Sequence, residues 1–276
     1  MPQKYTYKHL SIVATGLITL ASLTIVAGWL FNVRHLKMII PSFPEIKFNT
    51  ALAFALLSGA VLLRLIPKFR KLYPLSYILT SLVGFFGVMA FLQVILQHDF
   101  GMDVLLMPDK SSLLNPMPGR TSPITGFCFL IISVGLLLAG SRNKKYVNSA
   151  QFLFHTTTLF AVVALLGYLF GIPTFYNHSF NVSMSPHTAV GLFVLSLVGS
   201  FFNPSAGITG MLTGEMIGNL MARMLTSRII IMMLLTSYLL ILCHRHRWVS
   251  VEPAIAIFAI VFITITLFLF TKHQPS

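Results

Sequence analysis

The chain has 276 residues, of which 56% are hydrophobic and only 9% charged, with a formal charge of +13 at neutral pH. A soluble domain of this length cannot carry so much apolar surface, and several runs match the roughly 20 helical residues that cross a hydrocarbon core. The cations, spread along the chain between apolar runs, suit lipid headgroups and exclude a nucleic-acid partner.

Apolar runs bounded by charge or by Pro and Gly predict an all-α, polytopic membrane helix bundle in one domain, 1–276, with eight transmembrane helices. They are 10–31, 50–66, 75–97, 124–140, 149–170, 187–202, 229–243 and 254–270. The first follows Lys4 and Lys8 but has no small-residue cleavage pattern, so it is read as a retained anchor. With the N-terminus inside, twelve Lys and Arg fall on the inner side and seven outside, while five of the six acids fall outside. That bias predicts both termini in the cytoplasm, across a bacterial inner membrane.

The second, fourth and sixth helices open alike. "NTALAFALLS", "ITGFCFLIIS" and "HTAVGLFVLS" align on Thr50, Thr125 and Thr188, each followed by a small residue (Ala51, Gly126, Ala189) and, eight after the Thr, a Ser (Ser58, Ser133, Ser196). The small residue and the Ser are seven apart and share a helical face, as close packing between membrane helices requires. Ser122-Pro123 and Ser185-Pro186 provide a capping side chain and a proline where the missing N–H costs nothing. The first copy has Lys47-Phe48 instead, so its entry is expected to be looser. Three pseudo-repeated hairpins would bring three helix N-termini to one outer rim.

Outer segments differ in character. The longest, 98–123, holds three acids, four Pro and two Gly around "DVLLM", which predicts a segment folded over the bundle mouth rather than a solvated linker. On the inner side, Met216, Leu220, Met221 and Met224 mark one face of an amphipathic helix over 213–227, a candidate output surface for a cytoplasmic signalling partner or a second copy of the chain.

"FGMDVLLMPD", "PGRTSPITGFCFLIISVGLLL", "LLGYLFGIPTFY" and "MSPHTAVGLFVLSL" resemble the N-terminal multi-pass sensor region that precedes PAS, histidine-kinase or diguanylate-cyclase modules in bacterial signalling proteins, two-component systems among them. The similarity covers most of 45–228. It departs at Glu215 and Met216, which stand where that family has glycines, and at Arg223, which remains alone of a basic pair. It implies an input domain without catalytic residues, acting through a separate or missing output module.

No nucleophile elbow, zincin motif, Walker loop or carboxylate pair lies in a span, and neither Cys128 nor Cys243 belongs to a C-x-x-C pair. No enzyme and no metal site is expected, and the composition assigns no cofactor. Two other classes remain open. A small-solute transporter would need an ionisable group in a span, and a haem- or quinone-binding protein would draw on His98, His155 or His187.

The expected ligand site lies at the outer rim. Helix N-termini there favour a polar or anionic headgroup, with Phe54, Phe127, Phe129 and Tyr176 offering apolar surface to a lipid-like or quinone-like tail. His187 is the expected direct contact, with Thr50, Thr125, Thr188 and Arg120 behind it.

Overall fold

The computed structural model describes residues 2–37, 45–108, 119–178, 182–248 and 250–271. Its helices are α1 (Pro2–Leu30), α2 (Arg34–Lys37), α3 (Phe48–Leu65), α4 (Tyr73–Ile95), α5 (Met102–Leu105), α6 (Pro123–Ala139), α7 (Lys144–Phe170), α8 (Pro186–Ser200), α9 (Gly207–Thr213), α10 (Ile217–Arg245) and α11 (Val251–Thr271). A short antiparallel ladder, Asn177–His178 against Val182–Ser183, lies between α7 and α8. Among the described residues, five helices are long and apolar enough to cross a membrane: Tyr7–Leu30, Phe48–Leu65, Pro67–Ile95, Lys144–Phe170 and Ile217–Arg245. The chain is therefore a helical membrane bundle.

The chain divides into two compact units, 1–208 and 209–276. In the first unit the six helices of 15 or more residues form a ring. Each packs on the next in the order α1, α3, α4, α6, α7, α8, and α8 returns to α1. The second helix of each hairpin is the more buried one. Phe54 and Leu57 of α3, Phe129 and Ile132 of α6, and Leu192 and Leu195 of α8 meet in one core. α1, α4 and α7 turn Leu10, Leu17, Ile78, Leu82, Phe152 and Leu159 outward, each more than half exposed. Such surface would drive aggregation in water and is compatible with lipid.

The first helices of the hairpins end identically. Val33 N–H donates to Gly28 O, His98 N–H to Gln93 O and Ile172 N–H to Gly167 O, at 2.8, 3.1 and 2.8 Å. The residue between, Asn32, Gln97 or Gly171, is left-handed, with φ of 55, 50 and 62°. This is the Schellman ending, which satisfies carbonyls the helix leaves unpaired. α10 ends the same way, through Trp248 N–H to Cys243 O and left-handed Arg247.

Thirteen residues before the left-handed residue stand Thr19, Gly84 and Thr158, and these meet the serines of the aligned openings. Thr19 bonds Ser58 at 2.8 Å and Thr158 bonds Ser196 at 2.8 Å. In the middle hairpin Gly84 has no hydroxyl to offer, and Ser133 Oγ is buried without a partner.

Two local expectations change. Ser185 caps α8 by accepting from Thr188 N–H at 3.2 Å, but Ser122 makes no side-chain cap, its neighbour Thr121 instead lying 3.2 Å from Thr50 across the hairpins. The fifth predicted helix begins at Lys144 rather than 149, because Asn143 accepts from Lys145 N–H and starts it a turn earlier.

The second unit holds α10 packed on α11. The amphipathic segment expected at 213–227 is not a separate helix. α9 stops at Thr213, and α10 then runs unbroken from Ile217 through the expected inner segment and seventh span. Asn219 donates to Gly210 O and Met211 O at 3.0 Å, which ties the start of α10 back to α9.

Candidate functional site

The two ends of the first unit differ sharply in chemistry. At the opening end, where α3, α6 and α8 begin, Trp29 of α1 donates from Nε1 to Ile46 O at 3.0 Å and fixes the segment that leads into α3. Thr50 meets Thr121, and Gly191 of α8 is where the Phe54 ring passes closest, a Cβ there falling 2.8 Å from it. The three openings are thus drawn together around Phe54. The space between them is filled: Phe54 and Phe129 are 4% and 0% exposed, edge to face at 5.0 Å.

The cavity at this end lies off that axis, between α1, α3 and α8. It measures ≈ 60 Å³ and is lined by Ile18, Ser22 and Ile25 of α1, Ala51 and Phe54 of α3, and His187 of α8, among others. That is room for a few waters or a short apolar group. Ser22 has spent its hydroxyl on Ile18 O at 2.6 Å. His187 is half-buried, and its Nε2 is closed off from solvent with no hydrogen-bond partner among the described residues. An unsatisfied buried ring nitrogen costs free energy that a ligand hydrogen bond would recover.

The other expected ligand residues fall in several places. Thr50, Thr125 and Thr188 are buried at 4, 2 and 3%, Thr50 and Thr188 being hydrogen-bonded to Thr121 and Ser185. Phe127 packs with Phe91 and Phe160 instead, at 5.3 and 5.6 Å. Tyr176 stacks on Tyr168 at 3.9 Å, and Tyr168 hydroxyl donates to Met184 O just ahead of α8. His187 and Phe54 alone of the expected set line the cavity.

Arg120 serves a polar cluster beside the openings that sequence reasoning missed. Its Nε lies 3.1 Å from Asp103 Oδ2 and its Nη2 3.6 Å from Asp99 Oδ1. Gln93 donates to the same Asp103 oxygen at 3.1 Å and accepts from Phe100 N–H, while Asn49 donates to Met102 O and Asp103 O. Asp103 and Arg120 are 6 and 7% exposed. Burial raises the Asp103 carboxyl above the ordinary range, Arg120 and Gln93 pull it part of the way back, and Asp99 adds to the rise. The cluster pins the 99–105 segment onto α3 and α4. Gln93, an amide within an apolar span, was its one signal in the sequence.

Of the candidate output residues, Met216, Leu220 and Met224 are exposed by 77, 46 and 37%, and Met221 is half-buried. Among the described residues no group of three metal-ligating side chains gathers. Comparison with protein-family models, with curated proteins and with solved structures found no match to this chain.

Proposed function

We propose that the protein is a membrane-embedded input module: eight spans, built from repeated hairpins, that bind a small amphiphilic molecule at the opening end and signal through a cytoplasmic output partner. The observation that carries this is the apolar cavity with His187 at its wall, whose ring nitrogen is buried and unpartnered. The recurrent Schellman endings and the Thr–Ser contacts support the repeat, and α6, α8 and the 255–264 stretch, apolar but shorter, supply the remaining spans. At 17 and 15 residues α6 and α8 are the more buried helices of their hairpins, where flanking helices take up most of the contact with lipid.

The site favours an uncharged hydrogen-bonding group, such as an alcohol or a quinone carbonyl, because no charged side chain among the described residues lines the cavity, whose small volume takes that group while the apolar body stays in the surrounding lipid. Decanol, decanoate and decyl-ubiquinone added to the purified full chain test this by thermal unfolding. Decanol or the quinone at a hundredfold excess over Kd should raise the midpoint by roughly 5–10 °C, and His187→Leu should abolish the rise. Equal shifts in wild type and variant would reject the site. Solute uptake into liposomes, or a haem absorbance of the purified protein, would replace the sensor reading by one of its alternatives.

The opening end is the outer one in this reading, since every acid of the first unit's described residues, Glu45, Asp99 and Asp103, lies on that side and the exposed Lys and Arg crowd the other. In intact spheroplasts of a Cys243→Ser chain, an impermeant thiol reagent should label His98→Cys and spare Lys144→Cys. The reverse pattern would invert the topology.

A further inference from the structure

The end opposite the openings carries a half-buried cation that no carboxylate among the described residues neutralises. Arg64, in the last turn of α3, donates from Nε to Ser76 Oγ at 2.8 Å and from Nη1 to Leu136 O near the end of α6. Its guanidinium lies 4.4 Å from the centre of the Tyr77 ring. Nη2 is buried and has no hydrogen-bond partner among the described residues. A hydroxyl, a carbonyl and an aromatic face offset part of a full charge, but they leave both N–H donors of Nη2 and most of that charge unanswered.

Two turns at this end carry exposed cations. The 3-10 turn Pro67–Leu72, directly after α3, bears Lys68, Arg70 and Lys71, and the turn into α7 bears Arg142, Lys144 and Lys145. Tyr77 joins them, since its ring covers Arg64 and its hydroxyl adjoins Gly140. Neither turn contains an Asp or Glu. Below them on α4, Ile78, Leu82 and Phe85 are 56, 52 and 56% exposed, at the spacing of one helix face.

We infer that this end binds the phosphate of an anionic glycerophospholipid, Arg64 being its innermost ligand, the two basic turns its rim, and the Ile78–Leu82–Phe85 stripe the bed of an acyl chain. Phosphate is the oxygen-rich anion that a guanidinium fork recognises. Tyr77, 42% exposed, is the cover, so a rotamer change of one surface side chain brings phosphate to Nη2. The apolar stripe leading away from the cations favours a lipid over a free anion, which would make no use of it. The site is independent of the cavity at the opening end.

Native mass spectrometry of the full chain in neutral detergent tests this, with phosphatidylglycerol or phosphatidylcholine of the same acyl chains as probe. The wild type should retain phosphatidylglycerol and release phosphatidylcholine. Replacing Lys68, Arg70 and Lys71 together by Gln should weaken phosphatidylglycerol about a hundredfold, at about fivefold for each cation removed near an anionic surface. Because those three are exposed, this variant keeps the test sound even where Arg64→Gln, expected to lose the lipid as well, fails to fold. Equal retention of the two lipids, an unchanged triple variant, or displacement of phosphatidylglycerol by millimolar inorganic phosphate would each overturn the lipid site.

Discussion

Gly87→Leu should destabilise the first unit by about 3 kcal/mol or more. A Cβ at Gly87 would fall 2.6 Å from Gly126 O and 2.6 Å from Leu130 N, both backbone atoms of α6. Backbone cannot swing aside as a side chain can, so α4 and α6 must separate. Their contact would then lose the close approach on which membrane helices depend, there being no hydrophobic force to hold them in lipid. Gly16→Ala is the matching control. Nothing stands within 4 Å of a Cβ there, and alanine in a helix interior is worth roughly 0.5–1 kcal/mol over glycine. Denaturant titration of both variants in the same detergent checks the contrast. Similar midpoints for the two would mean that α4 and α6 do not meet at Gly87.

Arg120→Met should cost about 3–5 kcal/mol at neutral pH, because removing one partner leaves the other charge buried and uncompensated. The charge left behind is Asp103, 6% exposed, whose carboxyl already sits above its ordinary range through burial. A carboxyl raised in the folded state contributes stability that is full below its ordinary pKa and is lost as pH rises through the raised one. Without Arg120 the downward pull disappears, the pKa climbs further, and the loss grows at neutral pH. The penalty should therefore shrink on mild acidification, as Asp103 takes up a proton. Asp103→Asn combined with Arg120→Met should be less destabilised than Arg120→Met alone, since the stranded charge is gone. A penalty indifferent to pH and to the second substitution would mean that Arg120 contributes packing rather than charge.

Both predictions rest on contacts that no local pattern announces. What the sequence by itself determined is the helical membrane bundle. Apolar runs of span length, broken by Pro, Gly and charge, leave no other way to satisfy a backbone in lipid. The buried faces carrying Ala51 with Ser58 and Ala189 with Ser196 were legible too, because a seven-residue spacing fixes the side of a helix. His187 could be singled out as an odd side chain at the third opening, though not for its unpaired nitrogen.

The tertiary structure decided the rest. The left-handed endings at Asn32, Gln97 and Arg247 carry none of the glycines that mark such turns, since neighbouring hydrogen bonds hold them in a conformation their own preferences do not favour. Asp103 and Arg120 are 17 residues apart in sequence, and it is the anchoring of 100–103 by Gln93 and Asn49 that holds Asp103 where Arg120 meets it. Arg64 reads in sequence as one more cation at the inner end of a span. Its burial between α3, α4 and α6 depends on Ser76, Tyr77 and Leu136, which come from two other helices. The physical reason is the same in each case. Hydrophobic periodicity is a property of one helix, whereas the pairing of a buried charge or donor is a property of whichever helices the fold sets beside it.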